Sequence, residues 1–140
     1  MYLPDTDHMS LIEHGGAEYE RIREHLRTVP PDDVATTIIS YEEQTRGWLA
    51  RIAQMKSAER QVSVYGELKR QLRNYCDTSI IEFDTKAAGY FKNLRKSGVR
   101  IGTMDLKIAA IVLANNAMVI TRNTQDFAKV PNLKFEDWSI

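Results

Sequence analysis

The sequence predicts an α/β fold, a three-layer α/β/α sandwich around a central parallel sheet of about five strands. Three observations predict it. Short apolar, β-branched runs alternate along the chain with longer segments of helical character, the order expected when strands are joined by helical crossovers. The best of these runs is apolar without polar alternation, which suits a strand covered on both faces. One segment, Thr103–Ala114, carries Met104, Leu106, Ile108, Ala109, Ile111, Val112 and Leu113. That leaves too few polar sides for a surface helix, so it is expected inside.

Taken in order, Met1–Leu3 reads as a short buried strand. Glu18–Arg27 has the pattern of an amphipathic helix, and Pro30-Pro31 breaks it. Val34–Ile39 is β-branched and apolar and reads as a central strand. Ser40-Tyr41-Glu42-Glu43 then opens a helix to about Met55, and a second long helix covers about Ala58–Tyr75. Ile80–Phe83 reads as a strand and Thr85–Lys96 as a helix ended by Gly98. After the apolar helix, Asn115-Asn116 stops the chain turning, Met118–Thr121 forms a strand, and Leu133–Phe135 forms a last short one.

The 140 residues are one domain's worth, read as a single unit over 1–140, with no repeat and no linker. Hydrophobic residues make up 43% and charged residues 27%, the balance of an ordinary globular chain. A lone cysteine, Cys76, excludes an internal disulfide and fits a reducing compartment. No apolar run approaches membrane length and no leader pattern opens the chain, so a cytoplasmic location without membrane contact is expected. The net charge is zero, but it is unevenly spread. Residues 1–33 hold eight acids and three bases, residues 46–73 seven bases and two acids, and residues 86–107 six bases and one acid. The basic stretches can contact phosphates, although a charge run is more often a solvated helix face.

Where the acids fall is more informative. Asp5 follows the first strand, Glu43 lies just past the second, Asp105 lies in the first turn of the apolar helix, and Asn123 and Asp126 follow the strand that ends at Thr121. In a parallel sheet such positions gather at the carboxyl edge, where ligands bind. Carboxylates crowded there repel one another, and a divalent ion with oxygen ligands relieves the repulsion. Such an ion can activate water against a phosphodiester. Each residue also has a plainer role. Ser40 with Glu43 spells a capping box. Asn123 with Asp126 has cap spacing, Thr103 can cap the helix of Asp105, and Asp5 can cap the first helix. Against capping stands the setting of Asp105 in the least polar helix, where a carboxylate is costly without a partner.

The C-terminal third has a recognisable pattern. It runs Arg100-Ile101-Gly102-Thr103-Met104-Asp105-Leu106-Lys107-Ile108-Ala109-Ala110, then Val119-Ile120-Thr121-Arg122-Asn123-Thr124-Gln125-Asp126-Phe127, and ends at Glu136-Asp137-Trp138. The opening Tyr2-Leu3-Pro4-Asp5-Thr6 and the segment Ile38–Glu43 with Gly47 complete it. Together these resemble the PIN domain, the nuclease of VapC-type toxins in toxin–antitoxin pairs. The resemblance spans nearly the whole chain and selects Glu43, four residues before a glycine, over Glu42. It implies a PIN-like fold and a metal-dependent endoribonuclease, with Asp5, Glu43 and Asp105 as ligands of Mg²⁺, Mn²⁺ being the alternative ion. The fourth acidic position falls on Asn123, with Asp126 as the substitute candidate. RNA as substrate, a homodimer and a cognate antitoxin partner are also implied. Pro4 stands where the family has an aliphatic residue, so a shortened first strand is expected.

Other residues carry weaker signals. Thr6, Thr121 and Arg100 are candidate substrate contacts, with turn capping or surface ion pairs as the plainer roles. His8, His14 and His25 show no metal-cluster spacing and are expected at the surface. Trp48 and Trp138 are expected in the core or at a dimer contact. Two rival functions remain: a phosphatase with Asp5 as nucleophile, suggested by the Asp5-x-Asp7 pair, and a non-catalytic binding module that keeps the fold.

Overall fold

A computed structural model describes all 140 residues. The elements run β1 (Tyr2–Pro4), α1 (Thr6–His14), α2 (Ala17–Thr28), a 3-10 turn (Pro31–Asp33), β2 (Thr36–Thr37), α3 (Ile38–Gln54) and α4 (Ala58–Cys76). They continue with β3 (Ile80–Ile81), α5 (Thr85–Lys96), α6 (Thr103–Ala114), β4 (Met118–Ile120), α7 (Thr124–Phe127) and β5 (Lys134–Glu136). No helix is long and apolar enough to cross a membrane.

The fold is α/β with parallel pairing throughout, as expected, but the strands do not form one continuous sheet. They split into a three-stranded ladder, β1-β4-β5, and a two-stranded ladder, β2-β3. A single bridge, Tyr2 to Val34, joins them. Pro4 accounts for the break. Met118 N donates to Met1 O and Asp5 N donates to Ile120 O, so odd-numbered residues of β1 bond toward β4. Even-numbered ones face β2, and Tyr2 O accepts from Ala35 N at 3.1 Å. The next donor on that side belongs to residue 4, a proline with no N–H.

Alternation along β1 and β4 builds two cores. Leu3 and Val119 face one side and join α3, α5, α6 and α7 through Ile39, Ala87, Leu94, Leu106, Ile108 and Phe127. Ile120 faces the other side and packs with Ile22 of α2 and Trp138, edged by Tyr2, Leu11 and Ile12. Helices thus cover both faces of the three-stranded ladder. Seven of the twelve residues of α6 are buried, which bears out its reading as an internal helix.

Several boundaries differ from the sequence reading. The strand expected over Val34–Ile39 is only Thr36–Thr37. The Thr37 hydroxyl accepts from Ser40 N and starts α3 at Ile38, because a threonine cap outweighs the weak strand preference of two isoleucines at a helix start. The strand expected over Ile80–Phe83 stops at Ile81, where its partner β2 ends. α5 and α6 match the expected ranges. Gly98 follows α5 with φ +85°, a left-handed conformation that glycine adopts without strain.

Candidate active site

Three elements remote in sequence deliver acids to one hollow of about 350 Å³. Its lining includes Asp5, Thr6, Asp7, Glu43, Asp105 and Asn123. Asp5 sits where β1 ends, only 5% exposed, and its Oδ1 accepts from His8 N at 2.9 Å as the cap of α1. The expected cap role is therefore real, and it uses one oxygen. Glu43 does not have the cap role read from the sequence. α3 begins at Ile38 with Thr37 as cap, so Ser40 lies inside the helix and no capping box forms. Glu43 instead accepts from the Thr6 hydroxyl at 2.6 Å. Asp105 lies in the first turn of α6, which starts after Gly102 with no side-chain cap. The expected Thr103 cap is absent, since Thr103 is already helical and its hydroxyl takes a bond from Arg95 at 3.1 Å.

Asn123 precedes α7 but makes no cap bond. Its Nδ2 donates to Asp105 Oδ2 at 3.1 Å and to Asp126 Oδ2 at 3.0 Å. Thr121 is fully buried, and its hydroxyl accepts from Asn123 N at 2.9 Å. It shapes the loop that carries Asn123 and does not line the hollow. Asp126 does not line the hollow, and its Oδ1 is paired to Lys129 at 3.1 Å. Arg100 is not with the acids: it lines a separate hollow with Arg95, Val99, Ile101 and Leu106, on a different side of the start of α6 from Asp105.

The electrostatics match this crowding. Burial raises the Asp105 carboxyl to about 6, and Glu43, Asp5 and Asp126 push it the same way, against the Asn123 hydrogen bond. Asp126 goes below the usual carboxylate range because Asn123 and Lys129 both bond to its charged form. Asp5, Glu43 and Asp105 each keep one oxygen without a hydrogen-bond partner, namely Oδ2, Oε2 and Oδ1. This all-oxygen set suits a hard divalent ion. No three of these acids stand close enough, as placed, to form a ready-made ligand cluster, so an ion would have to draw them together.

Sequence reasoning missed two features of the surroundings. His8, expected at the surface, is wholly buried, with neither ring nitrogen hydrogen-bonded. Nδ1 lies 3.5 Å from Asp5 Oδ1 and Nε2 lies 3.5 Å from Asp137 Oδ1. Its place one helical turn after Asp5 was the available signal. His14 is exposed as expected, and His25 stacks on Trp138 at 5.2 Å. The second missed feature is the α1–α3 seam. There Gln44 Nε2 donates to the Ser10 hydroxyl and to Glu13, and the Tyr75 hydroxyl donates to Gln44 Oε1. Thr6 and Ser10 on one helix face Ser40, Glu43 and Gln44 on the other, a pairing legible only as helical i, i+3 and i, i+4 spacing.

Comparison with known proteins points the same way as the geometry. No family model matches the chain. Ribonuclease VapC2 of Rickettsia felis is 40% identical over a stretch covering 42% of this chain and 47% of that protein. The tRNA(fMet)-specific endonuclease VapC of Salmonella typhimurium is 29% identical over 42% of this chain and 48% of its own length. The chain therefore spans about half the length of the curated relatives it matches. Over nearly full length it is similar to a solved structure of VapBC2 from Rickettsia felis bound to a promoter DNA fragment. The TM-score is 0.67, with 26% identity and 98% of each chain covered. The resemblance to VapC-type toxins read from the sequence is borne out.

Proposed function

From this likeness to VapC ribonucleases, we propose that the chain is a metal-dependent endoribonuclease, the toxin of a toxin–antitoxin pair, built as one PIN-like domain. The observation that carries the proposal is the convergence of Asp5, Glu43 and Asp105, from three separate elements, on one hollow. Each of the three offers a free carboxylate oxygen.

These residues would hold Mg²⁺ or Mn²⁺, which when bound supplies an acidified water and neutralises charge on a phosphoryl oxygen. The chain's own groups orient each acid, and the ion would draw the three together. The α1 backbone fixes Asp5 through His8 N, the Thr6 hydroxyl fixes Glu43, and the Asn123 amide fixes Asp105. Each carboxylate is thus held by one oxygen and presents the other. The first turns of α1 and α6 add positive potential beside these acids and favour their ionised forms. Asn123 acts as an orienting donor rather than a fourth charged ligand. Asp126, with both oxygens engaged, holds Asn123 from behind.

The hollow that contains Asp5 has no lysine in its lining, which removes the support a phosphatase nucleophile there needs. A homodimer and an antitoxin partner follow from the same family reading. The test is cleavage of RNA by the purified protein with Mg²⁺ or Mn²⁺. Cleavage is expected, with loss on adding chelator and recovery on restoring the ion. Undiminished cleavage in excess chelator overturns the metal mechanism, and a folded protein that cuts no RNA with either ion supports the binding-module alternative.

A further inference from the structure

A second hollow, about 280 Å³, opens beside the acidic one and shares Thr6, Ser10 and Glu43 with it. Its other walls are His14, Gln44, Gly47, Trp48 and Arg51. We propose that it seats the nucleotide next to the cleaved phosphodiester, with Arg51 on that nucleotide's phosphate and Trp48 against its base or sugar. The proposal rests on the RNA-cleavage reading and deepens it by naming where the strand continues.

Charge is the first argument. The acidic hollow carries Asp5, Asp7, Glu43 and Asp105 and no Lys or Arg, yet its proposed substrate is a polyanion. Nearby cations are already paired: Arg46 with Glu42, Arg122 with Asp7, and Lys129 with Asp126. Arg51 is the one Lys or Arg lining either hollow, and it has no carboxylate partner. Its guanidinium rests over the Trp48 ring, 5.5 Å from the centroid. A cation–π contact of this kind holds the group in place while leaving its N–H donors free.

Shape is the second argument. Trp48, expected in the core or at a dimer contact, is only half-buried and forms a wall of this hollow. Exposed aromatic faces beside cations are how single strands of any sequence are held. Gly47 lies inside α3, where glycine weakens a helix. A Cβ placed there meets nothing within 4 Å, so packing does not demand the glycine, and its missing side chain keeps the hollow open. At about 280 Å³ the space falls just short of the roughly 300 Å³ at which small-molecule pockets begin, which suits one unit of a strand.

The experiment measures anisotropy of a fluorescently labelled short oligoribonucleotide in Ca²⁺, and cleavage of the same strand in Mg²⁺ or Mn²⁺. It uses wild type, Arg51→Gln, Gly47→Leu and Trp48→Phe, each checked by circular dichroism. Arg51→Gln is expected to weaken binding roughly tenfold and to lower the salt slope by about one, the mark of a lost phosphate contact. Gly47→Leu should weaken binding by filling the hollow, with KM rising more than kcat falls. Oligonucleotide should quench tryptophan emission in wild type but not in Trp48→Phe, since Trp138 is buried. If wild type cuts RNA but Arg51→Gln and Gly47→Leu match it in affinity, salt slope and KM, the subsite is overturned and the nuclease reading stands. If binding falls as expected but nothing is cut, the hollow holds RNA, but its assignment beside a cleaved phosphodiester falls together with the nuclease reading. Loss of affinity for a protein partner with RNA binding unchanged also overturns the assignment to RNA.

Discussion

Asp105 and Asp126 accept hydrogen bonds from the same amide, Asn123 Nδ2, yet their carboxyls move in opposite directions. Asp105, at the start of the buried α6, rises to about 6. Asp126, at the surface on the short α7, falls below its ordinary value. The shared bond favours the charged form in both, so it cannot be the cause of the difference. Burial and company decide it: Asp105 has Glu43, Asp5 and Asp126 for neighbours and no cation, whereas Asp126 has Lys129. One site holds an uncompensated charge and the other a satisfied one. Under the proposed function, that contrast separates a cation ligand from a residue serving the scaffold.

The sharpest way to break the contrast is mutation of the two acids side by side. Asp105→Asn is expected to reduce RNA cleavage by on the order of 10²–10⁴-fold, the scale of losing a preorganised charge at a reacting centre. Asp5→Asn should behave alike. Asp126→Ala should cost about tenfold or less, because it acts only through Asn123. Equal losses in folded Asp105→Asn and Asp126→Ala proteins, measured as kcat/KM, erase the distinction.

Stability of the ion-free protein gives the next largest effect, with the opposite sign. The folded Asp105 carboxyl holds its proton up to about pH 6, while the unfolded chain loses it near the ordinary 3.8. Between those values the folded state binds more protons, so stability falls as pH rises across that window and stays lower above it. Asp105→Asn removes this slope. It should raise stability at neutral pH by about 1 kcal/mol after discounting for partial exposure, which is a few degrees in Tm. A variant that is inactive and also less stable at pH 7 contradicts this account of the site.

Asn123→Asp sharpens the comparison further. It replaces the shared donor with a third carboxylate about 3 Å from the other two, so Tm without metal should fall. Mg²⁺ should then raise Tm more in this variant than in wild type. Equal Mg²⁺ shifts in the two proteins, followed by thermal unfolding, count against a cation site here. The smallest effect belongs to Lys129→Ala, which removes an exposed ion pair. It should leave Tm and cleavage within error, as isolated surface pairs usually do.

Much of the fold was legible in the sequence because it rests on local chemistry. The ranges of α5 and α6, the break at Pro30-Pro31 and the internal place of α6 follow from periodicity, capping and apolar content. The errors fell where a single side chain overrode the pattern. Thr37 capped α3 three residues early and turned two strand-like isoleucines into helix. Pro4 removed one donor and divided the expected sheet into two ladders. Asp5 was legible from its place at a strand end, and Glu43 and Asp105, which lie within helices, from the motif resemblance. The places of Thr121 and Arg100 were not, because a loop's direction depends on what it packs against.

The sequence by itself determined the α/β alternation, the buried helix and the candidate acids Asp5, Glu43 and Asp105, because each is written in residues close together along the chain. Only the tertiary structure decided that Glu43 is free of capping, that Asn123 bonds both Asp105 and Asp126, and that His8 is buried between two carboxylates. It alone set Trp48 and Arg51 beside the acids. These depend on distances between residues far apart in the chain, and packing fixes those distances where local preference does not.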